Sequence, residues 1–278
     1  MLRLLTIELH KLRYNKSAKV ISIVYFILIT FIALISSIEF NFGAINFRIA
    51  DQGIFNFPYI WHFNSYIAAI LKLFLAIVIV SMTANEYSNK TLKQNLIDGL
   101  SKKEFILSKF ITVVLFSLVS TLFVFGVSLV LGLIFSDYNE PGIIFSDIEY
   151  LFAYFVKLIG FFSFCLFLGI LVKRSAFALG FLLIWSISEG IIYSIFKWKI
   201  FKDTDIAESM IQFFPLTAMS NLIKEPFSRL GAVQTAANQL GEAFDKDYSV
   251  QFLTVIIVMV WTFLFIFGSY YILKRRDL

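Results

Sequence analysis

Three ionisable side chains lie inside long hydrophobic stretches of the chain, where charge is rare. Lys72, Lys157 and Glu189 each interrupt a run of apolar residues. If those runs cross a membrane, a charge facing lipid near the middle costs on the order of 3 kcal/mol, so such residues mark polar paths or ion pairs. Chemistry in this chain is therefore expected at intramembrane positions, as binding or charge pairing.

Glu189 is the strongest of these candidates, because Ser186 and Gly190 give it small and polar neighbours. This pattern favours a polar helix face directed at a cavity, with a helix-to-helix hydrogen bond as the alternative. Lys72 lies near the middle of its stretch, where it either lines a cavity or pairs with an acid, and a Lys72–Glu189 pair is one hypothesis. Lys157 lies near the end of its stretch and is expected to snorkel outward.

No set of residues in the sequence resembles a catalytic or metal centre. His10 and His62 are separated by a predicted membrane crossing, and the single cysteine, Cys165, offers no ligand set. The sequence also has no G-x-x-x-x-G-K-[ST] loop to cradle phosphates. An intramembrane protease or acyltransferase is the weaker alternative, since a serine nucleophile would have no visible base. We therefore expect a protein without enzymatic activity of its own.

Six hydrophobic stretches carry these residues. Each is long enough to cross a bilayer core about 30 Å thick, which takes roughly 20 helical residues. Backbone groups in lipid must be satisfied within their own segment, so each stretch is expected to be a helix. The predicted spans are 20–38, 59–83, 106–135, 151–172, 176–196 and 250–273. The expected fold class is all-α, a polytopic membrane protein with six transmembrane helices.

Lys and Arg are concentrated in alternate connectors, which predicts the orientation of the spans. Fifteen of them lie in the N-terminal tail, the second and fourth connectors and the C-terminal tail, whereas Arg48 is alone in the first connector and the third has none. Both termini are therefore predicted to be cytoplasmic. The net charge of +5 reflects this membrane-adjacent belt, and no separate basic patch suggests a nucleic-acid partner.

The second connector, with a cytoplasmic segment at 85–105, has the most defined local pattern. An apolar stripe recurs every fourth residue, at Leu92, Leu96 and Leu100. Gly99 then supplies a helix stop, and Ser101 with Glu104 has the spacing of a capping box that starts the third span. A short rigid helix at such a corner is suited to receive force from a soluble partner, and an ordinary capped turn is the alternative.

Two further segments lie outside the spans. Residues 1–17 have leucines on one helical face and are expected to form an interfacial helix on the cytoplasmic leaflet. Residues 197–249 form a long extracytoplasmic segment, in which Pro215 is placed to open a helix. Small-residue pairs in the fifth span, Ser186 with Gly190 among them, favour close helix packing there, at a homodimer seam or elsewhere.

The cytoplasmic connector resembles that of ABC-2 type transporter permeases. In that family an acidic residue ending the second span precedes a Gly-Thr pair, a coupling helix, a Ser-Arg corner and a later Lys. The matching residues here are Glu86, Thr91, Leu92, Ser101 and Lys109. Lys90 stands where the family has Gly, and Lys102 where it has Arg. The ending Leu-Lys-Arg-Arg-Asp-Leu is similar too, so the resemblance covers residues 1–278 as one transmembrane domain.

The resemblance implies a permease subunit that works with a second permease copy and a cytoplasmic ATPase, in two copies, in a bacterial inner membrane. ATP and Mg²⁺ would be bound by that ATPase, and this chain would hold no cofactor. The residues implied in ATPase coupling are Glu86, Lys90, Thr91, Leu92, Leu96, Ser101, Lys102, Lys103 and Glu104. Membrane lipids are further expected contacts.

Two alternatives remain open beside an exporter. One is a mechanotransmitter of the same architecture, which passes ATPase movement to an extracytoplasmic partner without transport. The other is a plain membrane anchor. Lipids, glycans, peptides and antibiotics all pass through the resembled family, so the sequence selects no substrate.

Overall fold

The structure is a computed structural model that describes residues 2–35, 38–42, 45–48, 53–202, 206–239 and 246–276. Its described part holds six helices long and apolar enough to cross a membrane, which confirms the all-α polytopic fold. The helices are α1 (Leu2–Tyr14), α2 (Lys16–Ile35), α3 (Tyr59–Ser88), α4 (Thr91–Ile97), α5 (Lys102–Phe135), α6 (Pro141–Ile144), α7 (Glu149–Val172), α8 (Ser175–Ile195), α9 (Ile206–Ile211), α10 (Pro215–Asn221), α11 (Gly231–Gln239) and α12 (Phe252–Arg275). We call the end of the bundle that carries α1, α4 and the end of α12 the basic end.

The bundle is built around α7, which packs against α3, α5, α8 and α12. Glycines allow this close approach: a Cβ on Gly160 would lie 2.8 Å from Val258 on α12, and one on Gly169 would lie 3.1 Å from Thr83 on α3. Both distances are too short for an ordinary side-chain contact, so α7 could not carry larger residues there without moving its neighbours. Side chains of α12 and α3 thus pack directly on the backbone of α7 at these two glycines.

The fifth span, α8, is loosely packed within the chain, and the close packing predicted from its small residues is not seen among the described helices. Its buried residues are Ala178, Leu182 and Glu189. A Cβ added at Gly180 or Gly190 would meet nothing within 4 Å. Small residues permit close packing without requiring it, and here the space beside them is left open.

A buried hydroxyl network joins three spans inside the bundle. The phenol oxygen of Tyr25 lies 2.5 Å from Ser120 Oγ and 2.6 Å from the Tyr154 oxygen, and the last two atoms are 2.8 Å apart. Each hydroxyl can donate one bond and accept another, so the triangle satisfies all three groups without water. It ties α2 and α5 to the central helix α7.

The N-terminal helix and the first span meet at a break one residue long. Asn15 separates α1 from α2, and its side-chain oxygen accepts a hydrogen bond from the Ala18 amide at 3.1 Å. This N-cap starts α2 at Lys16, four residues before the predicted span. The observed N-terminal helix is therefore shorter than the segment predicted at 1–17, because it ends at Tyr14.

The first connector contains a short antiparallel hairpin that the sequence pattern did not indicate. Strand β1 (Glu39–Phe42) pairs with β2 (Ile45–Arg48), with Glu39 opposite Arg48. Strands of four residues carry too little alternation for a periodicity signal. The hairpin lies at the end of the bundle opposite the basic end.

The long segment after α8 is a series of short helices. A π-helical turn (Phe196–Ile200) extends α8, and a 3₁₀ turn (Phe227–Arg229) precedes α11. Pro215 occupies the first turn of α10, as predicted. The segment is tied to the bundle at His62 on α3, whose Nε2 donates to the Lys224 carbonyl at 2.9 Å. Nδ1 of that ring accepts from Arg229 at 3.1 Å.

Candidate functional site

The helix α4 at the basic end is anchored by its apolar stripe. Leu92 is buried, and Leu96 and Leu100 are half-buried against the main core. Outside this stripe the exposed surface of α4 includes Lys93 and Ile97, and Ile97 is 70% exposed. A large apolar side chain in that position is not explained by the fold of the chain. The face is therefore a candidate contact surface.

The predicted capping box at the start of α5 is present. The Glu104 amide donates to Ser101 Oγ at 3.1 Å, and the Ser101 amide donates to Glu104 Oε2 at 2.9 Å. These two bonds satisfy amides that would otherwise be free at the helix start. Gly99 adopts φ +96°, the left-handed conformation expected for a helix stop.

Lys90 forms the joint between α3 and α4 with a left-handed backbone, φ 57°. A side chain in this conformation costs about 1 kcal/mol relative to glycine. We therefore expect Lys90→Gly to raise the free energy of unfolding by about 0.5 to 1 kcal/mol. The same change at the exposed helical residue Lys93 should lower it by about 1 kcal/mol. Thermal unfolding of the two purified variants measures this, and an equal loss in both would contradict it.

Beneath α4 lies a buried charge cluster, which we call the Lys109 cluster. It comprises Glu8 of α1, Lys11 of α1, Glu86 of α3, Thr91 of α4 and Lys109 of α5. Lys109 has no exposed side-chain surface, and its Nζ lies 2.5 Å from Glu8 Oε2 and 2.8 Å from Glu86 Oε1. Two acids thus flank one buried ammonium group.

The remaining members of the Lys109 cluster complete its charge balance. Lys11 Nζ lies 2.7 Å from Glu86 Oε1, and Thr91 Oγ1 donates to Glu86 Oε2 at 2.5 Å. Two carboxylates therefore face two ammonium groups, so the buried network is neutral. Burial lowers the pKa of Lys11, but the carboxylates of Glu86 and Glu8 outweigh it and the pKa is raised. Lys11 stays protonated, and the network stays paired.

The acid on α1 was missed by the sequence reasoning, which considered only the leucine face of that helix. Glu8 is 3% exposed and lies 101 residues from its partner Lys109. A signal was available, because Glu8 is the one acidic residue among the first 38. An isolated acid in a basic tail is a good candidate for a buried partner of a distant cation.

Two basic residues at this end bind helix carbonyls. Lys102 Nζ donates to the carbonyls of Lys274 and Arg276 at 3.3 and 2.8 Å. The Arg276 guanidinium donates to the carbonyls of Ile170 and Leu171, which end α7. Cations at helix C-termini satisfy free carbonyls and complement the helix dipole. Lys103 is exposed, so Lys102 binds the C-terminal helix while its neighbour faces solvent.

The intramembrane charges Lys72 and Glu189 are not paired with each other in the structure. Glu189 accepts from the Trp185 indole, from the backbone amides of Leu216 and Thr217, and from the Thr217 hydroxyl, at 2.8 to 3.1 Å. Its carboxylate thus caps the N-terminus of α10, which packs among α7, α8 and α12. Glu189 also lines an open cleft between α8 and α10, so these hydrogen bonds do not exclude the predicted cavity-facing role.

The two intramembrane lysines, Lys72 and Lys157, each contact a different backbone carbonyl. Lys72 Nζ donates to the Ala69 carbonyl at 3.1 Å and lies 4.8 Å from the centre of the Phe161 ring. Lys157 does not snorkel outward: it is 4% exposed, and Nζ lies 3.4 Å from the Ser220 carbonyl of α10. The expectation for Lys157 is wrong because α10 covers this part of α7 and offers a carbonyl in place of water.

A comparison with models of protein families identifies the family to which the chain belongs. The model described as ABC-2 family transporter protein matches residues 4–189, which run from α1 through most of α8. No curated protein matches the chain. The matched region contains the Lys109 cluster and α4. With its six apolar helices, the chain belongs to the ABC-2 family of transporters, as a multi-pass membrane permease.

Proposed function

We propose that this protein is the permease subunit of an ATP-driven ABC-2 type exporter that receives movement from a separate ATPase at α4. The basic end then faces the cytoplasm of a bacterium, in its inner membrane. ATP and Mg²⁺ bind to the ATPase, because this chain has no phosphate-cradling loop. The observation that carries the proposal is the exposed face of α4 above a buried, neutral charge cluster.

The Lys109 cluster supports transmission of force from α4 to the spans. Thr91 joins α4 to α3 through Glu86, and Lys109 joins α3 to α5 and α1. Breaking a buried ion pair costs about 3 to 5 kcal/mol, so α1, α3 and α5 move together more readily than they come apart. Helix α4 is joined to this unit by the Thr91–Glu86 hydrogen bond and by the burial of Leu92. A displacement of α4 therefore shifts α1, α3 and α5 as one unit.

The exposed face of α4 indicates the chemistry of the ATPase surface that would bind it. Lys93 lies one helical turn before Ile97, Lys90 immediately precedes α4, and all three are exposed. A surface with acidic groups around an apolar pocket would match this face, since the pocket would desolvate Ile97 and the charges would set the orientation. Two ATPase copies would bind two permease copies.

The second permease copy has a candidate contact surface of its own. The loosely packed helix α8 exposes a row of large apolar side chains, which include Ile184, Ile187 and Ile191. Lipid can cover such a row, and so can a second copy of the same helix. A homodimer seam and bound lipid would therefore compete for this row, and crosslinking between the α8 helices of two copies distinguishes them.

The proposal predicts the effect of a charge on the exposed face of α4. Ile97→Glu should remove most Mg·ATP hydrolysis that copurifies with the tagged permease from native membranes, because it places a carboxylate in the apolar contact. Phe145→Glu is the matched control, since Phe145 is exposed at the opposite end of the bundle. Copurified ATPase activity should fall at least about 10-fold in the first variant and persist in the second.

The outcomes of this experiment separate the candidate functions. Wild-type permease that copurifies without any ATPase would overturn the proposal and leave the membrane anchor. An equal loss of copurified ATPase activity in both variants would contradict α4 as the docking site. With an ATPase present, ATP-dependent movement of a substrate across proteoliposomes supports export, whereas ATP hydrolysis that acts on an extracytoplasmic partner without such movement supports the mechanotransmitter.

A further inference from the structure

A cleft lies between α8 and the short helices that follow it. Its volume is about 500 Å³, and its walls include Ser186 and Gly190 of α8 and Leu216, Ser220 and Asn221 of α10. Small-molecule sites commonly have volumes of about 300 to 1,000 Å³. The cleft therefore has the size of a binding site, and it opens beside a span whose outer face is exposed.

The charged groups at the cleft already have partners. Both Glu189 oxygens accept hydrogen bonds, from four donors in total. Glu208 lies 3.0 Å from Lys197 Nζ and accepts from the Tyr193 hydroxyl at 3.2 Å. Among the described residues, the charged groups that line this cleft are the carboxylates of Glu189 and Glu208, and no cation lines it. An anionic ligand group would therefore gain no counter-ion there and would lose its hydration, and a cationic group would have to compete with the donors that both carboxylates already bind.

Uncharged polar groups at the cleft are free by contrast. The side chains of Ser186, Ser220 and Asn221 make no hydrogen bond to another residue that the structure describes. Two hydroxyls and one amide offer both donors and acceptors, as sugar hydroxyls require. Ile211 and Leu216 add apolar surface beside them. This combination suits a neutral hydroxyl-bearing group.

We propose that this cleft binds the uncharged, hydroxyl-rich headgroup of a lipid, whose acyl chains lie along the exposed face of α8. Ile187 and Ile191 are more than half exposed on that helix and provide the apolar surface for the chains. The inference rests on the proposed export function, for which it names the substrate class. It also gives Glu189 a positioning role, because Glu189 holds α10 as one wall of the cleft.

The test uses two photoreactive lipids that differ in headgroup charge. The purified permease with its copurifying ATPase is reconstituted in phosphatidylcholine vesicles with either glucosyl diacylglycerol or phosphatidylglycerol, each carrying a photoreactive group on the headgroup. After irradiation, peptide mapping should find the neutral glycolipid on residues 186–193 and 215–221. Excess unlabelled glucosyl diacylglycerol should compete, and the anionic lipid should label these peptides several-fold less.

Two glycines of α8 provide a matched pair of variants. Gly190→Leu fills the cleft, whereas Gly180→Leu places the same side chain on the same helix outside it, and both sites have open space. Labelling should be lost in the first variant and kept in the second. Ser186→Ala with Asn221→Ala should reduce labelling by about 3- to 10-fold, which corresponds to lost hydrogen bonds rather than to a filled cleft.

Several outcomes would overturn the inference. They are equal labelling by the anionic lipid, equal loss in both leucine variants, unchanged labelling in the double alanine variant, or crosslinks from α8 to a second permease copy in place of lipid. The proposed function is tested separately by the ATPase activity of the same preparation. Specific labelling in a preparation that contains no ATPase would support the lipid-binding cleft and contradict the proposed exporter function.

Discussion

Lys109→Met should be among the most damaging single substitutions at the basic end. It leaves the buried carboxylates of Glu8 and Glu86 close together with only the half-buried Lys11 to neutralise them. Removing one partner of a buried ion pair costs about 3 to 5 kcal/mol, because the remaining charge stays desolvated. We expect a lower melting temperature and loss of ATP-dependent activity in the purified complex.

A second substitution distinguishes charge imbalance from lost packing. Glu8→Gln in the Lys109→Met background returns the cluster to one acid and one base, so it should recover part of the lost stability. Lys103→Met is the control, since Lys103 is exposed near the start of the same helix, and it should change stability by less than about 0.5 kcal/mol. A double variant no more stable than Lys109→Met would show that the two charges are not coupled.

Glu189→Ala should have the largest effect at the other end of the bundle. It removes the acceptor for the amides of Leu216 and Thr217 and for the Trp185 indole. Each buried donor left unsatisfied costs about 1 to 3 kcal/mol, so α10 should lose its position among the spans. Amide hydrogen exchange of the 215–221 peptide measures this directly, and protection should fall sharply.

Two comparisons define the role of this carboxylate. Glu208→Ala removes an exposed carboxylate of the same cleft, paired with Lys197, and should cost less than about 1 kcal/mol because such pairs are screened by solvent. Glu189→Gln keeps one acceptor oxygen but presents an amide group to the second set of donors, so its exchange should be intermediate. Unchanged protection in Glu189→Ala would mean that α10 is held by its apolar contacts.

The charges around α10 show why intramembrane residues are difficult to interpret from sequence. A short helix that packs among spans has free amides at one end and free carbonyls at the other, and each set needs polar partners. Glu189 binds the first set, and Lys157 points to the Ser220 carbonyl at the other end. From the sequence, Glu189 was expected to face a cavity or a neighbouring helix, and Lys157 was expected to snorkel outward. Neither expectation included α10, because its position is not visible in the sequence.

The second connector was more predictable, because its signals are local. The stripe at Leu92, the stop at Gly99 and the Ser101–Glu104 box each depend on residues a few positions apart. Their backbone conformations follow from side-chain chemistry within one or two helical turns. The coupling roles of these residues remain predictions, since docking of an ATPase depends on a second protein.

The amino-acid sequence alone determined the six spans, their boundaries to within a few residues and the side on which the cations lie. Hydropathy and charge act on each segment separately against lipid and water, so no knowledge of neighbours is needed. Only the tertiary structure decided which charges meet, as when Glu8 pairs with Lys109 and Glu189 caps α10. Such pairings depend on how each helix is rotated and on contacts between distant segments, which periodicity does not encode.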